Sequence, residues 1–185
     1  GVIPAKTHSF LGRVFDTPLI SLGYSVGAIY VVRNPLDVAV SLAPYLGLPL
    51  DLTIRTMAAT LTAPPPSDLL APEIWGSWTE NVRSWTTEPP PVIKVMRYED
   101  MLADPVAACT AIAEHMRIGA SPAEIAEAVA ASSFERASRE EEASGFAERP
   151  EGTERFFRVG KAGQWRTALT PCSAPSSLRC ALRSA

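Results

Sequence analysis

Apolar residues gather into three short runs rich in valine and isoleucine, at 1–6 ("GVIPAK"), 28–33 ("AIYVVR") and 91–98 ("PVIKVMRY"). Each is bounded by turn residues, the pattern of a buried strand. Between the runs the period changes to that of a helix. Asn34 can cap, Pro35 suits a first helical position and Asp37 stands where a capping-box acid would, so a helix is predicted from 35 to about 46. Trp75, Trp78, Val82 and Trp85 recur at helical spacing with Glu80, Asn81 and Arg83 on other faces. That spacing predicts a helix from Glu73 to Trp85 with its tryptophans in the core. Asp104-Pro105 opens a further helix through Ile112 and Met116 to Gly119, and "SPAE" from Ser121 carries the capping-box pattern for the next. The proline runs at 64–66 and 89–91 read as loops, and no internal repeat is visible.

Strands separated by helical segments predict an α/β fold, a three-layer arrangement in which a mostly parallel sheet is flanked by helices. Ligands of such sheets bind at the carboxyl ends of the strands. The three runs end there in polar residues: Lys6-Thr7-His8, Arg33-Asn34 and Arg97-Tyr98-Glu99-Asp100.

Composition narrows the partner. The chain has 185 residues, 46% of them hydrophobic, enough for one domain with a real core. A net charge of -3 gives no electrostatic reason to expect nucleic acid, so a small molecule is the expected partner. Cys109, Cys172 and Cys180 have neither metal-ligand spacing nor the even count of a disulfide framework, which favours a reducing, cytoplasmic setting with Cys109 simply packing. No apolar run reaches the ~18–20 residues of a membrane span, and no signal peptide pattern opens the chain. A start at Gly1, without methionine and inside an apparent strand, reads as a fragment.

In an extended chain the two-residue period puts Lys6 and His8 on one side. A neutral His8 can take a proton from an attacking hydroxyl while Lys6 offsets charge that develops on a transferred group. A partly exposed strand-end histidine is the plainer alternative. Arg33 offers a fork of donors and Ser41 a hydroxyl two turns into the following helix, so both could reach one tetrahedral anion, although Arg33 suits pairing with Asp37 equally well. Late in the chain "FFRVGKAGQWR" sets Arg158, Lys161 and Arg166 around Gly160 and Gly163, a basic loop whose backbone amides can approach an anion. It is no Walker loop: Arg155 stands where a second glycine is needed and Ala162 where a hydroxyl is needed. A P-loop kinase is therefore disfavoured.

In this order, "KTH" at 6–8, "RNPLDVAVS" at 33–41, "RYED" at 97–100, "SSFERA" at 132–137 and "RVGKAGQW" at 158–165 resemble the cytosolic-type sulfotransferases that use 3'-phosphoadenosine 5'-phosphosulfate. The resemblance runs to about Thr170. It implies a P-loop NTPase-like sulfotransferase fold over 1–170 and transfer of a sulfuryl group to a hydroxyl of a small-molecule acceptor, with no metal required. His8 would be the general base and Lys6 the stabiliser of the group in flight. Arg33, Ser41 and Arg158, with the backbone at Val159 and Gly160, would hold the 3'-phosphate, and Tyr98 and Phe134, with Ser132 nearby, the adenine.

Three departures qualify the resemblance. The family's first strand and its Y-P-K-S-G-T-T-W-like phosphosulfate loop have no counterpart and are expected upstream of Gly1, so the chain alone is expected to be unstable and inactive. Val159 and Gln164 stand where the family commonly has lysine and aspartate. The tail over 171–185, "CSAPSSLRCALRSA" after Pro171, lacks acidic residues and is expected to be a disordered appendage, explained by a frame shift or truncated gene. A non-catalytic nucleotide-binding or interaction module of the same fold is the alternative function.

Overall fold

A computed structural model describes residues 3–60, 73–149 and 152–169. Along the chain run β1 (Arg13–Val14), β2 (Thr17–Pro18), a 3-10 turn (Leu22–Tyr24), β3 (Ala28–Val32), α1 (Pro35–Leu46), α2 (Leu50–Ala58), α3 (Trp78–Thr86), β4 (Ile93–Arg97), α4 (Tyr98–Ala103), α5 (Pro105–His115), α6 (Pro122–Ala131), α7 (Phe134–Ser144) and α8 (Trp165–Ala168). They fall into two compact units. One comprises the residues up to Arg33 with Thr56–Ala131; the other comprises Asn34–Arg55 with the residues from Ser132 on.

In the first unit β3 and β4 pair in parallel, with Ala28 opposite Ile93 and Val32 opposite Arg97. Parallel neighbours need a long crossover, and 60 residues separate Val32 from Ile93. The strands are half-buried, apart from buried Ile93 and exposed Val31 and Arg97. Helices α5 and α6 begin where the sequence supplies caps: Asp104 accepts from the Ala107 N–H at 2.9 Å, and Glu124 accepts from the Ser121 N–H and hydroxyl, both at 2.7 Å. Those two bonds hold the Glu124 carboxyl below its ordinary value. Ala108, Ala113 and Ile125 are buried, and the two helices pack on each other.

Two expectations for this unit change. Residues 3–6 of the predicted first strand make no strand pairing, and the chain that follows finds its partners in the stretch 73–85 instead. The predicted helix from Glu73 begins only at Trp78. Gly76 takes a left-handed φ of 67°, and Ser77 then closes a reciprocal capping box with Glu80. Trp75 is thus placed before the helix, and of its three tryptophans only Trp85 is buried.

In the second unit α1 runs Pro35–Leu46 as expected. Asn34 Oδ1 accepts from the Leu36 N–H at 2.9 Å and the Asp37 N–H at 3.4 Å, and Gly47 ends the helix at a φ of 63°. Leu36, Ala39 and Ala43 are buried, and α8 packs on α1. A second cluster joins Tyr45, Phe134, Phe146, Phe156 and Phe157, with ring centroids 4.7–6.4 Å apart along the chain of contacts. The loop expected at 64–66, Cys172, Cys180 and the tail over 171–185 lie outside the described residues.

Candidate functional site

Register brings the first two candidates together. Val32 pairs with Arg97, so the next residues, Arg33 and Tyr98, leave the two strand ends side by side, and the Arg33 guanidinium lies 4.5 Å from the centre of the Tyr98 ring. A cation over an aromatic face is an attractive geometry that also limits where each group can turn. Both side chains sit at the carboxyl end of the parallel pair, the ligand-binding edge of such sheets.

The Lys6-Thr7-His8 stretch is exposed, but its main chain is held closely. The His8 N–H donates to Glu73 Oε1 at 2.7 Å, and the His8 carbonyl accepts from Asn81 Nδ2 at 2.9 Å. Asn81 Nδ2 also donates to the Trp75 carbonyl at 2.9 Å, while its Oδ1 accepts from the Tyr30 hydroxyl at 2.9 Å. Burial pushes that hydroxyl up to about 12, so Tyr30 remains a donor across the physiological range. Next along, the Trp85 indole N–H donates to the Ser9 carbonyl at 3.1 Å, and the Trp85 ring stacks on Tyr30 at 5.2 Å and 7°. The Trp75 ring meets the His8 ring edge-on at 6.4 Å and donates its N–H to Glu73 Oε2 at 3.1 Å. His8 is therefore presented to solvent on a backbone fixed by α3 and the segment before it. Glu73 and Asn81, which hold the main chain of the candidate His8, were not singled out from the sequence. Their only sequence signal was a polar face on a tryptophan-rich helix, which is ordinary for a solvated surface.

The second unit brings Ser41 and Arg158 together. Arg158 Nη2 donates to the Val40 carbonyl at 3.2 Å and to the Ser41 carbonyl at 3.3 Å. Gly160, at a φ of 63°, lies so close to Phe134 that an added Cβ would sit 2.3 Å from the ring. Ser132 and Val159 are exposed nearby in sequence. Gly160→Ala is expected to cost about 1–2 kcal/mol through the left-handed backbone alone, and more through Phe134; a lowered thermal midpoint checks this.

Two buried carboxylates hold the basic loop. Glu141 accepts from the Phe156 N–H at 2.6 Å and the Phe157 N–H at 2.9 Å. Its burial favours the neutral acid, but those N–H groups and the nearby Arg149 and Arg155 outweigh it and hold the carboxyl below its ordinary value. Asp37, 1% exposed, accepts from the Gly163 N–H at 2.6 Å and the Trp165 N–H at 3.0 Å. The carboxylate read from sequence as a capping-box acid thus turns to the loop instead.

A family described as the sulfotransferase domain matches residues 23–176. The chain belongs to this family. The sulfotransferase fold is also that of solved structures. Mouse sulfotransferase SULT7A1 complexed with PAP aligns with a TM-score of 0.59 at 24% identity over 80% of this chain and 54% of that one, a likeness of fold. Retinol dehydratase in a complex with retinol and PAP aligns at 0.56 and 26% identity, covering 78% and 43%. Retinol dehydratase with androsterone and the inactive cofactor PAP aligns at 0.58 and 25%, covering 80% and 43%. This sulfotransferase chain spans about half the length of the solved structures it matches. No curated protein sequence matches it. Among its described residues no single helix is long and apolar enough to cross a membrane.

Proposed function

We propose that this domain transfers the sulfuryl group of 3'-phosphoadenosine 5'-phosphosulfate to a hydroxyl of a small molecule in the reducing interior of the cell. His8 takes the acceptor O–H proton on a ring nitrogen as the acceptor oxygen bonds to sulfur, and the sulfur–oxygen bond to the nucleotide breaks, releasing adenosine 3',5'-bisphosphate. Lys6 stabilises negative charge on the moving group and the leaving oxygen. Arg33, Ser41, Arg158 and the backbone at Val159 and Gly160 hold the 3'-phosphate; Tyr98, Phe134 and Ser132 hold the adenine. No step calls for a metal, because transfer of this kind runs on positioning and charge stabilisation.

The observation that carries the reading is the pairing of assigned residues inside each unit: Arg33 over Tyr98, Arg158 at Ser41, and Phe134 over Gly160. The solved neighbours support the donor, being complexes with PAP, and retinol and androsterone in two of them support a small acceptor. Arg33→Ala in the full-length protein is expected to weaken binding of adenosine 3',5'-bisphosphate by about 1.5–3 kcal/mol, the scale of a hydrogen bond to a charged group. Unchanged binding by calorimetry removes Arg33 from the site.

A further inference from the structure

The contacts of α1 with the basic loop follow one helical stripe. Asp37, Val40, Ser41 and Pro44 are spaced i, i+3, i+4 and i+7, so they line the same face of the helix. At its start the Asp37 carboxylate accepts the Gly163 and Trp165 N–H groups; further along, the Val40 and Ser41 carbonyls accept Arg158 Nη2. Helix carbonyls are normally consumed by the N–H four residues on, which leaves the question of why Val40 has one to offer. The residue four after Val40 is Pro44, which has no N–H and lies inside the helix. The proline leaves an acceptor on this face, and Arg158 takes it.

We infer that α1 is a template which sets the shape of the 158–165 loop before the donor arrives, with Asp37 and Pro44 as positioning residues that act through Gly163, Trp165 and Arg158. This rests on the reading that the loop binds the donor's 3'-phosphate. An arginine with five donors can use Nη2 to dock on the helix and keep its Nε and Nη1 hydrogens for a phosphate. Asp37 fixes the far end of the loop, where backbone N–H groups would otherwise turn freely about two glycines at φ 63° and 79°. A loop held in shape beforehand loses less entropy on binding.

Pro44→Ala separates positioning from mere support. Alanine restores the N–H that returns the Val40 carbonyl to the helix and removes a poor helix former, so the thermal midpoint is expected to hold or rise. Donor affinity is expected to fall about tenfold through the displaced Arg158. Asp37→Asn keeps shape and volume but exchanges one acceptor for a donor facing an N–H. It is expected to speed hydrogen exchange at the Gly163 and Trp165 amides and to raise the donor KM about tenfold or more, with kcat changed far less. The probe is adenosine 3',5'-bisphosphate titrated into the full-length protein and both variants. Wild-type binding with unchanged affinity in Pro44→Ala and Asp37→Asn overturns the template. Affinity lost only in step with the thermal midpoint does the same. A wild-type protein that fails to bind the bisphosphate overturns the underlying donor reading, and the template's purpose with it.

Discussion

Replacing His8 by alanine in the full-length protein should lower turnover by about 10²–10⁴, the usual worth of a general base, while the affinity for adenosine 3',5'-bisphosphate stays near wild type. The structure makes this substitution unusually clean. The hydrogen bonds that fix residue 8 among the described residues run through its main chain, the N–H to Glu73 and the carbonyl to Asn81, and alanine preserves both. The side chain lost is an exposed imidazole whose ring meets Trp75 edge-on. A fall in rate therefore reports chemistry and not collapse of the segment that carries it. Steady-state assays with radiolabelled donor measure it, and turnover retained within a few-fold would assign the proton to another group. Intact nucleotide binding with no transfer in the wild-type protein would instead favour a binding module.

Trp85→Ala should destabilise the fold by about 3–5 kcal/mol, the range for emptying a large buried aromatic site. Trp85 is 6% exposed, stacks on Tyr30 and donates to the Ser9 carbonyl one residue from the proposed base. Its loss opens a cavity and leaves the Ser9 carbonyl without that donor. Trp85→Phe should recover most of the packing and fail to replace the bond, a residual cost of about 1 kcal/mol. Denaturant midpoints for the two variants measure the difference. Equal midpoints for wild type and Trp85→Ala would show that the tryptophan is not holding the segment.

These two residues also show what sequence could and could not disclose. Helix α1 was legible from 35 to about 46 because its start is a local event, Asn34 capping and Pro35 fitting N1, while its end at the left-handed Gly47 went unread. Strands β3 and β4 were legible as short Val/Ile runs bounded by turn residues. Tryptophan spacing at 75–85 overstated the helix, because the interruption depends on the φ of Gly76 and on the Ser77–Glu80 box, which periodicity does not register. Asp37 was visible and misassigned. A carboxylate at N3 serves a capping box by default, and only the long-range bonds to Gly163 and Trp165, 126 and 128 residues away, reveal its partner. Asn81 and Glu73 were hidden for the same reason: each acts on the main chain of a segment 65–73 residues earlier. Motif order thus suggested candidate residues, while the groups that hold their segments in place, Asp37, Glu73 and Asn81, act through long-range bonds that motifs do not encode.

The role proposed for Arg33, Ser41 and Arg158 is to hold a ribose 3'-phosphate. Calorimetric titration of the full-length protein with adenosine 3',5'-bisphosphate and with adenosine 5'-monophosphate tests it directly. The account predicts that the bisphosphate binds at least about tenfold more tightly, one charged hydrogen bond's worth or more, and that Arg33→Ala and Arg158→Ala each remove most of that preference. Equal affinity for the two nucleotides, or a preference that survives both substitutions, would contradict it.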